Sequence, residues 1–138
     1  GKNLRTDNKT FYAEDHVSIN YNKENNWIEA NWTGFRNLES VQRGGLVLLG
    51  HLKKNNCNKA LNDNTQVMGN WSEAAEWGGN IWFPQMQNAG LQFFAWVYSP
   101  STFSQLAAEK SIDIMTGSIT SQFFNNIKEA EKWLKGLK

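Results

Sequence analysis

Leu91-Gln92-Phe93-Phe94-Ala95-Trp96-Val97-Tyr98 is the stretch whose reading decides the fold. It is almost continuously apolar and rich in aromatic and branched strand formers, and Ser99-Pro100 ends it. A strand with one wet face alternates apolar with polar; a strand apolar on both sides is a central one, covered on both faces, as in a parallel sheet. Phe94, Trp96 and Tyr98 share one face of this strand, and Leu91, Phe93, Ala95 and Val97 take the other.

The flanking residues supply helices. Upstream, Asn70-Trp71-Ser72-Glu73 opens a helix: Asn70 and Glu73 have capping-box spacing, and Ser72 is the other cap candidate. Ala75, Gly78, Ile81, Trp82, Met86 and Ala89 form its apolar face. Pro84 predicts a kink or break, and Gly90 a glycine C-cap. Before it, Lys59 to Asp63 reads as a short strand, followed by a long connection from Asn64 to Asn70. Asn37 caps a helix running to about Lys54 on Leu38, Val41, Gly45, Leu48, Leu49 and Leu52. Gly44 and Gly45 each cost that helix about 1 kcal/mol, and close packing on the sheet is a reason for Gly45. Residues 16–22 and 27–33 alternate as a hairpin around Lys23-Glu24-Asn25-Asn26. Downstream, Ser101 caps a short helix holding Phe103, Leu106 and Ala107. Ile112 to Thr116 fits neither period. Gly117 marks a turn, Ser118 to Phe124 reads as the last strand, and Asn125 or Asn126 starts a helix on Ile127, Ala130, Leu134 and Leu137. Residues 1–10 are polar and read as a loose tail.

This order predicts an α/β fold in one domain over residues 1–138: an N-terminal antiparallel hairpin leading into a mainly parallel sheet of four or five strands with about four helices. Hydrophobic residues make up 40% and charged residues 20%, the balance of a globular chain. The net charge of +1 gives no footprint for nucleic acid or an anionic membrane. No apolar run approaches the ~20 residues of a membrane span, so no integral membrane association is expected. Cys57 is the one cysteine, which rules out an intrachain disulfide. Gly1 in place of Met reads as a residue left by tag removal, no signal peptide opens the chain, and the expected location is the cytoplasm.

The element order resembles the SpoIIAA-like fold of STAS domains and anti-sigma-factor antagonists. A closer resemblance is to small bacterial STAS/SEC14-like proteins. It rests on Leu61-Asn62-Asp63-Asn64, Gly69-Asn70-Trp71-Ser72, Ala75, Trp77, Trp82, Pro84, Gly90-Leu91, Phe94 to Pro100, and Glu129-Ala130-Glu131-Lys132-Trp133-Leu134. The resemblance implies a ligand-responsive or partner-switching module rather than a defined reaction. In the antagonists a serine at a helix start is phosphorylated, and Ser72 is the nearest positional match. The approach differs, because the loop from Asn64 to Trp71 replaces a short Asp-Ser lead-in, and an N-cap role explains Ser72 as well.

The residues themselves carry little reactive chemistry. His16 and His51 are the two histidines, and no metal motif, phosphate loop or nucleophile elbow appears, so neither metal nor cofactor is expected. Asp63, Ser72 and His51 would make a triad by composition, but helix ends and strand carboxyl ends lie at opposite edges of an α/β layer. Ligands of parallel sheets bind outside the carboxyl ends of the strands. Thr33-Gly34-Phe35, Asp63-Asn64, Tyr98-Ser99, Phe124-Asn125 and the helix start at Trp71-Ser72 gather there. Asp63, Asn64, Trp71, Ser72, Trp77, Trp96, Tyr98 and Ser99 are therefore the expected ligand- or partner-binding residues, with no catalytic residue among them. If all helices pack on one side, as the resemblance implies, one aromatic sheet face is left bare, and Trp27 could join it. A homodimer, a protein partner or a small apolar ligand would cover it. The expected function is a non-enzymatic binding or regulatory module. The alternatives are a partner switch phosphorylated at Ser72 and a small enzyme using Asp63.

Overall fold

The computed structural model describes residues 8–13 and 16–137. Six strands form one sheet in sequential order: β1 (Asn8–Ala13), β2 (Val17–Asn22), β3 (Trp27–Phe35), β4 (Lys59–Met68), β5 (Phe93–Val97) and β6 (Thr120–Phe124). β1, β2 and β3 pair antiparallel, and β3 to β6 run parallel. Helix α1 (Leu38–Asn55) links β3 to β4. Between β4 and β5 the chain forms α2 (Ser72–Trp77), a π-helical turn (Gly78–Trp82) and α3 (Phe83–Asn88). Helix α4 (Thr102–Ile114) precedes β6, and α5 (Ile127–Lys135) follows it.

Three crossovers that all step the same way across a parallel sheet, each right-handed, must lie on one face. The buried clusters agree. Leu48 and Leu52 of α1, Ala74 and Ala75 of α2, Phe83 and Met86 of α3, and Ala107 and Ala108 of α4 pack with Ile28, Ala60, Phe94 and Trp96. Helix α5 follows the last strand, crosses nothing, and turns to the opposite face, where Ala130 and Leu134 meet Trp27, Leu61, Ala95, Val97 and Phe124. The central strand is thus covered on both sides. The face that would be bare if every helix packed on one side is closed by α5, and Trp27 is buried beneath it with its Nε1 donating to Glu29 Oε2 at 2.8 Å.

Several expectations need correction. Asn8 to Thr10, read as tail, belong to β1, while residues 1–7 lie outside the described residues. Strand β4 does not stop at Asp63; it continues to Met68, where Thr33, Gly34 and Phe35 pair with Gln66, Val67 and Met68. Between Asn31 and Thr33 the register slips by one residue, leaving an extra residue in β4, and Asp63 Oδ1 accepts from Thr65 N–H at 2.9 Å there. Asn70 does not form a capping box with Glu73; its Oδ1 accepts from Ser72 N–H at 2.9 Å, and α2 has no side-chain cap.

Pro84 does not break the helical run. It lacks an N–H, and its ring would crowd the carbonyl four residues back. The chain widens into the π turn just before it, and Phe83 N–H donates to Gly78 O. The extra residue shifts the helix phase, so Ile81 points outward while Trp82 and Phe83 are buried. Helix α4 is longer than expected and turned over. Phe103 and Leu106 are 63% and 57% exposed, while Ser104, Ala107, Ala108 and Ser111 face inward. That small-residue face lets α4 approach the π turn closely: a Cβ on Gly79 would lie 2.6 Å from the Ser111 carbonyl oxygen.

Gly50, by contrast, lies on the exposed side of α1 with nothing within 4 Å of a Cβ built on it. Gly50→Ala is expected to stabilise the protein by about 0.5–1 kcal/mol, read as a higher urea midpoint at unchanged slope. Cys57 is buried where α1 turns into β4, and burial pushes its thiol up to about 11. Its folded pKa is raised, so the stability it contributes is complete below the thiol's ordinary 9.0 and is lost as pH rises through 11. At neutral pH, Cys57 is expected to react with a maleimide only at the rate of unfolding. Among the described residues, no helix is long and apolar enough to cross a membrane.

Candidate functional site

A pocket of about 50 Å³ lies between the sheet and the helices α1 and α2. Five of the seven tryptophans line it: Trp32, Trp71, Trp77, Trp82 and Trp96. Phe83 and Phe94 complete the aromatic wall, and Arg36, Asn62, Asn64 and Ser111 are its polar members.

Local structure explains how these side chains converge. Trp32 comes from β3, Asn62 and Asn64 from alternate positions of β4, and Phe94 and Trp96 from alternate positions of β5. Trp77 and Trp82 are five residues apart. In a regular α-helix such residues sit roughly 140° apart around the axis. The wider π turn between them swings both towards the pocket, a use of π turns seen at many functional sites. Gly45 makes room for them: a Cβ there would lie 3.0 Å from Trp82 Nε1 and 3.3 Å from the Trp77 ring. Trp82 Nε1 donates to Gly45 O at 2.7 Å, and Trp82 meets Phe83 and Phe94 edge to face at 4.9 and 5.9 Å.

The amides form a directed chain. Trp32 Nε1 donates to Asn62 Oδ1 at 2.9 Å, and Asn62 Nδ2 donates to Asn64 Oδ1 at 2.9 Å. An indole nitrogen is only a donor, so it fixes the orientation of both amides. Each amide oxygen accepts one of these bonds, and the chain ends on the Asn64 NH₂. Asn62→Ala would leave the Trp32 N–H and the Asn64 oxygen buried without partners, so a loss of about 1–3 kcal/mol is expected in chemical denaturation. A variant as stable as wild type would show that the chain contributes nothing.

Trp71 and Trp96 stack with ring centroids 6.1 Å apart and planes 24° apart. They are 7% and 5% exposed, and neither Nε1 has a hydrogen-bond partner. The stack continues outward through Phe123 to Tyr98, whose ring lies 4.7 Å from Phe123 and within 3° of parallel. Tyr98 donates to Glu109 Oε2 at 2.7 Å; burial, then this carboxylate, push its hydroxyl up to about 12.

Of the residues expected from sequence, Asn64, Trp71, Trp77 and Trp96 line the pocket. Asp63, Ser72, Tyr98 and Ser99 do not. Asp63 alternates onto the α5 side of β4 and holds the register shift. Ser72 is the first residue of α2. Ser99 donates to Val67 O and accepts from Ser101 N–H, tying the ends of β4 and β5 together. The pocket residues absent from that expectation are chiefly Trp32, Arg36, Asn62 and Trp82. One signal was available: Ala60, Asn62 and Asn64 fall on one strand face, and two amides on a covered face require a polar partner. Among the described residues, no three His, Cys, Asp or Glu side chains gather as a metal site would need.

A sequential sheet with three helical crossovers on one face and a terminal helix on the other is a SpoIIAA-like fold, and here it carries an aromatic pocket. Among solved structures, the chain is similar to an uncharacterized protein from the DUF3478 family with a SpoIIAA-like fold, from Shewanella loihica. The match has 17% identity and a TM-score of 0.52, and covers 86% of this chain and 91% of that one. No family model and no curated protein matches the chain.

Proposed function

We propose that this chain is a non-enzymatic binding module of the STAS-like class that holds a small, largely apolar molecule in the tryptophan-walled pocket. The observation that carries this reading is the pocket's composition: five tryptophans and two phenylalanines wall it, with Arg36, Asn62, Asn64 and Ser111 as its polar members. Ligand sites are mostly apolar concavities with a few placed polar groups, and this pocket has that composition. Neither Asp63 nor Ser72 lines it, so an enzyme built on Asp63 or a switch built on Ser72 draws no support from it.

The test is a thermal-shift titration of the full chain with cyclopentanone, a small apolar molecule bearing one acceptor. A saturable rise in Tm is expected, because a ligand that binds only the folded state stabilises it by mass action. Ala74→Leu adds bulk to the pocket wall and is expected to abolish the rise. A rise of the same size in both proteins would place the binding elsewhere and overturn the reading.

A further inference from the structure

We infer that β6 is the docking edge for a second copy of this chain, paired antiparallel about a two-fold axis at Gln122, so that two sheets join into one. The sheet has two edges, β1 and β6, and they are built differently. Open strand edges recruit other strands, and proteins guard them with charge, proline or a bulge. β1 has two of these guards: Lys9, and an extra residue between Thr10 and Tyr12 where its register shifts. β6 has none. The run from Ile114 to Ile127 contains no Lys, Arg, Asp, Glu or Pro. β6 keeps an unbroken register with β5, from Phe93 opposite Thr120 to Val97 opposite Phe124. Thr120 and Gln122 are exposed, and among the described residues no strand pairs with the outer side of β6. β1, where the described chain begins, lies at the opposite edge, roughly 24 Å away at ordinary strand spacing.

The backbone of β6 fits a copy of itself. Thr120 N–H donates to Gln92 O, and Phe124 O accepts from Tyr98 N–H, each at 2.9 Å. Successive residues of a strand turn their backbone groups to opposite sides, so Thr120, Gln122 and Phe124 face β5, and Ser121 and Phe123 face outward. These two flank Gln122 symmetrically. An antiparallel copy centred there sets Ser121 opposite the partner's Phe123 and Phe123 opposite the partner's Ser121. Residues opposed in this phase exchange both N–H···O bonds. With the axis at Gln122, every residue from Thr120 to Phe124 has an opposite; moving it to Ser121 or Phe123 leaves part of β6 unpaired. The contact is isologous and closes on two copies, while the guarded edge at β1 stops the joined sheet from growing. The side chains agree. Gln122 meets its own counterpart, and an amide both donates and accepts. No like charges of β6 oppose each other across the junction, the arrangement that would resist self-pairing. A strand of a different protein has no need of this two-fold; a neutral edge that is self-complementary about its middle residue suits a second copy.

The experiment is sedimentation equilibrium of the full chain from micromolar to millimolar concentration. A reversible dimer is expected. Gln122→Lys sets like charges opposite each other on the axis and is expected to weaken the dimer about fivefold or more. Gln122→Glu should do the same, and an equal mixture of the two variants should recover the dimer, because opposite charges then meet on the axis. Mixing would not repair a merely structural fault. Ser121→Pro removes an outward N–H at both junctions, spares the bonds to β5, and is expected to weaken the dimer about tenfold or more. It also serves should the Gln122 variants not fold. A monomer at every concentration overturns the inference and leaves this edge to a strand of another protein. A dimer as tight in Gln122→Lys and Ser121→Pro as in wild type puts the interface elsewhere and overturns it too. Weakening that mixing does not reverse overturns the placement of the axis. Each of these results leaves the reading of the pocket untouched.

Discussion

Trp82→Ala is expected to destabilise the protein by about 3–5 kcal/mol, the range for deleting a buried aromatic. For a chain of this length that corresponds to a fall in Tm of roughly 10–15 °C. The cost has identifiable parts. The indole is buried, meets Phe83 and Phe94 edge to face, and reaches the α1 backbone through its hydrogen bond to Gly45 O. Its removal also leaves a hole continuous with the existing pocket, since Trp82 is one of the pocket walls. Free indole added to the variant should therefore recover part of the lost Tm, because an apolar hole lined by aromatic rings takes an apolar guest. Trp82→Phe should lose less than half as much, because most of the buried ring remains. A Trp82→Ala protein that melts within 2–3 °C of wild type would contradict this packing, since it would imply well under 1.5 kcal/mol.

The second large effect comes from a single methyl group. Gly79→Ala is expected to cost about 2–3 kcal/mol, as overpacking of a tight interior does. At an open helical position the same change stabilises, which is why Gly50→Ala carries the opposite sign. At Gly79 the new Cβ would lie 2.6 Å from the Ser111 carbonyl oxygen and 2.9 Å from Ile114 Cβ, so a helix backbone must move, not merely a side-chain tip. Gly78 is milder, because a Cβ there meets only the Ser111 hydroxyl, at 2.9 Å, and a hydroxyl can rotate. Urea unfolding of Gly50→Ala and Gly79→Ala in parallel separates the two cases. Two shifts of the same sign would mean that α4 does not rest on the π turn through its small residues.

These two sites also mark where sequence reasoning succeeded and where it stopped. The central strand, the hairpin, α1 and α5 follow period-two or period-3.6 patterns closely enough to be located from sequence. Asn37 and Asn126 cap their helices through hydrogen bonds to Ser40 N–H and Glu129 N–H. The π turn escaped because its extra residue breaks the 3.6 period on which the helix was read, and that same residue places Trp77 and Trp82 together. The far half of β4 escaped because Asn62-Asp63-Asn64-Thr65-Gln66 has the composition of a turn. Parallel pairing with β3 holds it in a strand all the same. In α4, Phe103 and Leu106 looked like the buried face, but the approach of the helix demanded small residues, and Ala107, Ala108, Ser104 and Ser111 took it.

The site shows the same division. Asn64 and Trp71, expected from the strand carboxyl ends, and Trp77 and Trp96, expected as aromatics, line the pocket. Tyr98 and Ser99 share that edge, yet one stacks outward on Phe123 and the other ties β4 to β5. Which side of a strand end faces the helices depends on register, and the register of β4 changes at its bulge. Trp32, Arg36 and Asn62 come together only through the pairing of β3 with β4, two strands separated in sequence by the whole of α1.

The most direct measurement is native mass spectrometry of the gently purified protein, run beside the same sample desalted under denaturing conditions. A pocket that holds a small molecule should give a folded species heavier than the bare chain by a discrete mass. That mass should be absent after denaturation and absent from Ala74→Leu. A bare chain in every sample, even after incubation with millimolar cyclopentanone, would contradict the claim that this pocket is the working surface.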